Sequence, residues 1–369
     1  MSISTHATRS TLGVVASTIV RFVNWASKTR SFVWMMELYG YSEKVILRLT
    51  GAQIRQITLS LESGSTGTAT CNAYWIAQHI SDIPASTGLP NSAATVVLLY
   101  FHGGGYCSET AWNGSVMHFN NIKAFNAASI LYPESKELRL AVLTVDYALA
   151  PKSVWPSQLN TAVAAFKYLN QVHSTFNIKS LIVGGDSAGG HLAIHLLNTI
   201  ASTTSLAALP LQPNASWFIS PWVDPTISVT PFSIQVDLVS RKASENFSRW
   251  TFGNDDREIR DRDLYRMSPI KLPARNYIVY GGAEILAKAI ELFIEQLKND
   301  NDFVDGIDGL LIENHAGMPH IFPTLPPLPS LSASVKKARQ TFIDHFFHSF
   351  EKNSVYGRLC SEMKSISTM

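Results

Sequence analysis

The segment IVGGDSAGGHLA at residues 182–193 constrains this chain more than any other stretch. An apolar run ends abruptly in small residues, and a helix-forming run starts with no intervening loop. Gly185, Ser187 and Gly189 satisfy G-x-S-x-G, in which a serine sits on a tight strand-to-helix turn. Small neighbours there let the backbone take a strained conformation and expose the hydroxyl. Taken alone, the pattern also fits a glycine-rich phosphate-binding turn that carries an inert serine. The surroundings narrow the choice of fold. From residue 95 onward short apolar runs (TVVLLYF, LAVLTVDY, SLIVGG, SWFIS, NYIVYG, DGLLIEN) alternate with helical patterns at 157–172, 188–200, 285–298 and 332–350. In the last of these Val335, Ala338, Phe342, Phe346 and Phe350 share one face. Such alternation predicts an α/β fold with a mostly parallel sheet covered by helices on both faces. Two further runs, 53–61 and 70–79, read as a strand pair. Residues 1–50 carry large apolar groups at helical spacing, and a polar stretch interrupts the alternation at about 225–270. Neither has a place in the alternation, so both are candidates for a helical cap over a core spanning 51–369.

A second glycine run, HGGG at 102–105, follows directly on the strand TVVLLYF. Three glycines in succession cost backbone entropy, and a use for them follows from the serine turn. In the α/β-hydrolase arrangement an oxyanion forming on a substrate carbonyl is met by the N–H of the residue after the nucleophile, here Ala188. Further N–H groups come from an HGGG-type loop after an earlier strand. Gly103 and Gly104 are the expected donors, with no Cβ to hold the substrate away from the backbone. Each such donor stabilises the transition state by about 3 kcal/mol.

A serine nucleophile needs a base, and the base needs an orienting acid. In this arrangement the chain order is serine, acid, histidine. Of the histidines after Ser187, His191 and His195 lie on the nucleophile's own helix and read as packing. His345 and His348 fall in the last helix and read as solvated. His320, in AGMPHIFP, occupies the loop between the last strand and the last helix and is the expected base, with His315 as its rival. Glu284, in YGGAEIL, sits just beyond a strand at the carboxyl edge, where such sheets gather active groups. Asp302, Asp305 and Asp308 read as solvated turn residues, and Asp186 as a partner within the elbow.

Composition excludes several other functions. With 30 Lys and Arg against 28 Asp and Glu the net charge is +2, which offers no long-range attraction to nucleic acid or an anionic membrane. The expected partner is a small, apolar ester or lactone. The cysteines Cys71, Cys107 and Cys360 supply neither a disulfide framework nor a zinc motif. A reducing, cytoplasmic setting and a site without metal or cofactor are the expectation. The apolar run at 11–20 lacks the flanks of a signal peptide, although a membrane-surface role for it stays open. Sequons at Asn113, Asn214 and Asn246 are a number expected by chance, the last within a predicted helix. Tyr106, Trp222 and Trp34 are candidate pocket residues. Aromatic side chains at helical spacing are, however, commonly plain core. Oligomeric state has no signal in the sequence.

HGGGY, DYALAP, GDSAGGHLA, SPWVD and GMPHIF together resemble the hormone-sensitive lipase-like branch of the α/β-hydrolases over roughly residues 70–350. That branch includes carboxylesterases and fungal esterases that deacetylate sterols or polyketides. The resemblance implies the roles already given to Ser187, His320, Gly103, Gly104 and Ala188, and a cap built from the N-terminal segment plus the insertion. The chain departs from the family pattern in having Glu284 where an aspartate is usual. Ala148 and Lys152 stand in DYALAPK in place of a structural ion pair, and Ile321 follows the histidine in place of glycine. Plant relatives include a receptor lacking the histidine, which His320 argues against. They also include a dehydratase and cyclases, so non-hydrolytic chemistry or acyl transfer on the same pocket is the alternative to ester hydrolysis.

Overall fold

The computed structural model describes residues 42–61, 69–84, 94–131, 138–229, 237–255, 259, 262–303, 305–306, 309–325 and 332–353. Trp34, Cys360, Asp308 and most of segment 1–50 lie outside the described residues. The elements run β1 (Gln53–Leu61), β2 (Ala69–Ala77), β3 (Ala94–Phe101), α1 (Ser115–Leu131), β4 (Leu138–Val145), α2 (Ser157–Val172) and β5 (Ile178–Asp186). They continue with α3 (Ala188–Ser202), β6 (Ala215–Ile219), α4 (Arg241–Phe252), β7 (Arg275–Gly281), α5 (Ala287–Asp300), β8 (Leu310–His315) and α6 (Ser332–Asn353). One sheet holds the strands in the order β1-β2-β4-β3-β5-β6-β7-β8. The β1–β2 and β2–β4 pairs are antiparallel. From β4 to β8 every pair is parallel.

The period-two geometry of strands explains why the sequence runs of β3, β4 and β5 are apolar throughout: both faces are covered. In β3, Val97, Leu99 and Phe101 join one core with Phe166 of α2, Leu192 of α3 and Phe293 of α5. The intervening Val96, Leu98 and Tyr100 join a second core on the opposite face with Phe125 of α1 and Phe342 of α6. Helix α2 buries Ala162, Ala165, Phe166 and Leu169, and α5 buries Ala289, Ile290, Phe293, Ile294 and Leu297. Both sets are one-face stripes at helical spacing. Val335, Ala338, Phe342 and Phe346 of α6 are buried as their spacing predicts.

Helix α1 has no counterpart in the sequence reading. Its sequence, SVMHFNNIKAFNAASIL, mixes polar and apolar residues around the circumference. The structure buries Ser115, His118, Asn121, Asn126 and Ser129 along with the apolar ones. A hydrophobic period cannot flag a helix whose buried side is half polar.

The end of the N-terminal segment is helical at 42–49. Leu47 enters the second core, and the Glu43 carboxylate accepts a hydrogen bond from the Ser115 N–H at 2.8 Å. The insertion contains α4 and packs on the HGGG loop. A Cβ on Gly105 would overlap the Phe247 ring, and the Cys107 thiol lies 3.8 Å from the Thr251 hydroxyl. Among the described residues no helix is long and apolar enough to cross a membrane.

Candidate active site

Parallel register brings the carboxyl ends of β3, β5, β7 and β8 to one edge. Phe101 pairs with Gly185, and Gly281 with His315. His102 and Ser187 follow these ends directly, while Glu284 and His320 stand on the short loops beyond Gly281 and His315, so the edge of the sheet gathers the site. Ser187 has φ 51° and ψ −118° and caps α3, a strained conformation for a residue with a Cβ. Its N–H donates to the Ile219 carbonyl at 3.0 Å, and its carbonyl accepts from the Trp222 N–H at 2.9 Å. The small neighbours are required by packing. A Cβ on Gly189 would overlap the Phe101 and His102 carbonyl oxygens, and one on Gly185 would overlap Gly189.

His320 Nε2 stands 2.9 Å from Ser187 Oγ. On the other side of the ring Nδ1 lies 3.6 Å from Glu284 Oε1. That is a charge contact longer than a hydrogen bond, and neither atom has a hydrogen-bond partner among the described residues. The second carboxylate oxygen, Oε2, is fixed by the Ser220 hydroxyl at 2.6 Å and the Gly281 N–H at 3.0 Å. Burial opposes the charged imidazolium of His320. The Glu284 carboxylate, helped by Asp237 and Asp186, outweighs it and holds the ring above the ordinary histidine range. Ser220, at φ 45°, also accepts the Ile321 N–H at 3.1 Å, and so ties the acid to the loop of the base. Ile321 itself has φ 48°. A left-handed backbone there gives the physical reason why glycine is usual in family members.

The three glycines of the HGGG loop face three different neighbours. A Cβ would overlap the Asp186 carboxylate at Gly103, the Ser108 carbonyl at Gly104 (φ 85°) and Phe247 at Gly105. These positions are filled by protein, so the requirement for glycine is one of packing and backbone conformation as well as of substrate approach. The Gly103 N–H lies against the Asp186 carboxylate and favours its charge, though burial raises that acid to about 6. The N–H groups of Gly104 and Gly105 meet no backbone acceptor among the described residues. The Ala188 N–H opens the first turn of α3, where no intrahelical acceptor exists. Tyr147 props the loop from below. Its hydroxyl donates to the carbonyls of His102 at 2.6 Å and Gly103 at 2.9 Å, and its ring stacks on His102 at 4.2 Å.

The other residues singled out by sequence fall outside this constellation. Tyr106 is wholly buried; its hydroxyl is 2.7 Å from His191 Nδ1, and its ring packs on Tyr147, Trp155, Trp222 and Phe252. Trp222 is buried too, with no acceptor for its indole N–H among the described residues. His191 and His195 pack against Trp155, as read from the sequence, though inside the protein. Burial lowers His191 to about 4. His315 contacts Glu313 at 3.1 Å and stays apart from the serine. His345 is fully buried against Tyr277 and Phe346, which corrects the expectation of a solvated side chain: α6 turns this face inward. Asp305 is exposed and pairs with Lys298 at 3.0 Å.

Residues 98–323 match the family model described as alpha/beta hydrolase fold. The chain is 26% identical over 211 residues to Esterase LipI of Mycobacterium tuberculosis, covering 55% of this chain and 56% of that protein. It is 34% identical over 121 residues to an ethyl acetate hydrolase of Pseudomonas putida, covering 32% and 34%. The chain thus spans about half or less of the length of these curated relatives. Among solved structures, an esterase from Pyrobaculum calidifontis superposes with a TM-score of 0.62 over 85% of this chain and 92% of that one, at 17% identity. At that identity the likeness is one of fold.

Proposed function

The chain belongs to the alpha/beta hydrolase fold family, and from that premise we propose that it is a serine hydrolase of carboxylic esters or lactones. The observation that carries the reading is the 2.9 Å approach of His320 Nε2 to Ser187 Oγ, on a ring whose far nitrogen faces a buried carboxylate. Ser187 Oγ attacks the ester carbonyl as its proton passes to His320 Nε2. Glu284 stabilises the imidazolium so formed and holds the ring in the tautomer that keeps Nε2 free to accept. The carbonyl oxygen, now an oxyanion, is met by the N–H groups of Ala188 and Gly104, with Gly105 beside them, while Gly103 serves Asp186. His320 returns its proton to the departing alkoxide and leaves an acyl-enzyme. It then takes a proton from the water that attacks the acyl carbon and passes it to Ser187 Oγ, which leaves as the free hydroxyl as the carboxylic acid departs.

The printed names of the relatives, an ethyl acetate hydrolase and an esterase, support an ester as substrate. The insertion at 225–270, whose α4 packs on the HGGG loop, is the proposed cover that excludes water, together with segment 1–50, most of which lies outside the described residues. The test is labelling with a fluorophosphonate followed by a panel of esters of graded acyl length. Ser187 is the residue expected to be modified, and Ser187→Ala should lower turnover by up to about a millionfold. A folded Ser187→Ala protein with near-normal turnover would overturn the hydrolase reading.

A further inference from the structure

The base and the acid of the proposed site sit on separate loops, after β8 and β7, and beside Ser220 a second side chain from neither loop joins them. Asp237 belongs to the insertion that interrupts the alternation of strands and helices. It is buried. Its Oδ1 accepts the backbone N–H of His320 at 2.9 Å and that of Leu238 at 2.7 Å. Its Oδ2 accepts the backbone N–H of Ile285, the residue following Glu284, at 2.6 Å. We propose that Asp237 is a positioning residue through which the insertion clamps the loop of the base to the loop of the acid, and so sets the separation of His320 from Glu284. The proposal rests on the serine-hydrolase reading, but the observation behind it is separate.

A carboxylate suits the task for a geometric reason. It offers two acceptor oxygens and no donor, and here each oxygen holds the N–H of a different loop. A serine or an amide could not satisfy both without presenting a donor to a donor. The charge matters as well. The His320 ring is faced by three carboxylates, Glu284 from the β7 loop, Asp237 from the insertion and Asp186 from the elbow, and all three favour the imidazolium. Burial raises Asp237 to about 6 against the nearby His320 charge, so the group is ionised at neutral pH and above. The 3.6 Å gap between His320 Nδ1 and Glu284 Oε1 is the distance such a clamp controls. A displacement of the order of 1 Å in a catalytic pair lowers turnover by up to roughly 100-fold.

The experiment compares Asp237→Asn and Asp237→Ala with the wild-type full-length chain on p-nitrophenyl acetate. Turnover is expressed per Ser187 labelled at completion by a fluorophosphonate, so that unfolded molecules are not counted. Asp237→Ala loses both loop contacts and should lower kcat by roughly 10- to 100-fold with KM little changed. Asp237→Asn keeps an oxygen for one N–H and should lose less. Both variants lose the same charge, so in both the acid limb of kcat/KM should move to lower pH by the same amount. A role in stability alone would reduce the labelled fraction and leave this limb in place. The proposal is overturned if kcat per labelled site stays within twofold of wild type in both variants. It is equally overturned if any loss comes as raised KM with an unmoved limb. Should Asp237→Ala fail to fold, Asp237→Asn decides by the same criteria. If the wild-type chain is not labelled at Ser187 at all, the hydrolase reading falls, and the clamp with it.

Discussion

Glu284→Gln is a near-isosteric change whose effect can be worked out from the hydrogen bonds around the carboxylate. Oε2 accepts from two donors, the Ser220 hydroxyl and the Gly281 N–H. The Ser220 proton is committed to it, because the same oxygen already accepts the Ile321 N–H. A glutamine must therefore put its amide oxygen at the Oε2 position and its NH2 at the Oε1 position, 3.6 Å from His320 Nδ1. A donor now faces a nitrogen that must itself carry a proton if Nε2 is to accept one from Ser187. The imidazole responds by taking the other tautomer, with Nδ1 accepting from the amide and the proton on Nε2, pointing at the serine. In serine proteases the corresponding amide costs about 10⁴ in kcat for this reason, or about 5.5 kcal/mol of transition-state stabilisation.

Glu284→Gln should therefore lose about four orders of magnitude in kcat, with KM for a short ester little changed and the fold intact. It should remain more active than Ser187→Ala, which removes the nucleophile itself. The pH dependence carries a second sign. The Glu284 carboxylate outweighs burial in holding His320 above its ordinary range, so activity in the wild type falls as pH drops through that raised value. Without the anion burial prevails, and the acid limb moves to lower pH. The assay is the pH profile of kcat/KM on p-nitrophenyl acetate alongside the rate of fluorophosphonate labelling. A Glu284→Gln protein within tenfold of wild type, or one with an unmoved acid limb, would refute the assignment of this carboxylate. Asp305, exposed, paired with Lys298 and set beside the start of β8, serves as the control in which amidation leaves both quantities alone.

Two further perturbations address the oxyanion side. Tyr147→Phe removes the hydroxyl that donates to both the His102 and Gly103 carbonyls. It should lower stability by about 1–3 kcal/mol in denaturant unfolding and kcat by roughly tenfold through a looser donor loop, with the acid limb unmoved because no charge changes. Gly104→Ala places a Cβ at φ 85° against the Ser108 carbonyl. It should lower kcat by at least about 100-fold while Ser187 keeps its short contact with His320, a combination that single-turnover kinetics on an activated ester would detect.

The parts of this site that sequence discloses are those where backbone geometry forbids most side chains. HGGG and GDSAGG stand out because Gly104, Gly185 and Gly189 have neighbours or a φ value that a Cβ cannot meet, and such positions restrict composition. The substitution of Ile321 for the usual glycine was visible too, but the left-handed backbone behind that preference was not. Helix α1 escaped because its buried face carries asparagine, serine and histidine. Tyr147 lies in a stretch whose neighbours, Ala148 and Lys152, drew the comparison, while the work of its hydroxyl depends on a contact across the sheet. Ser220 and Asp237 are a different case. Each acts through hydrogen bonds to residues 64–101 and 48–83 positions away, and no local pattern encodes partners at that distance.

The two halves of the site are consequently held by different means. Ser187 and the HGGG loop are built into the sheet. Ser187 is strained at φ 51°, yet its N–H and carbonyl are both bonded, to Ile219 and Trp222, and Gly189 is pressed on the end of β3. Strain of this kind persists only where the surrounding structure over-determines it, and here the parallel register of β3, β5 and β6 does so. Glu284 and His320 stand on loops beyond β7 and β8 respectively. Ser220, itself at φ 45°, bonds one to the other from β6, and Asp237 bonds both from the insertion. The geometry of Ser187 is therefore set by the sheet and by the turn after β6 that carries Trp222, whereas the loops of His320 and Glu284 are also bonded by a segment that packs, through Phe247 and Thr251, on the HGGG loop. On the proposed mechanism a change in the seating of the insertion should reach His320 and the HGGG loop together and leave Ser187 in place.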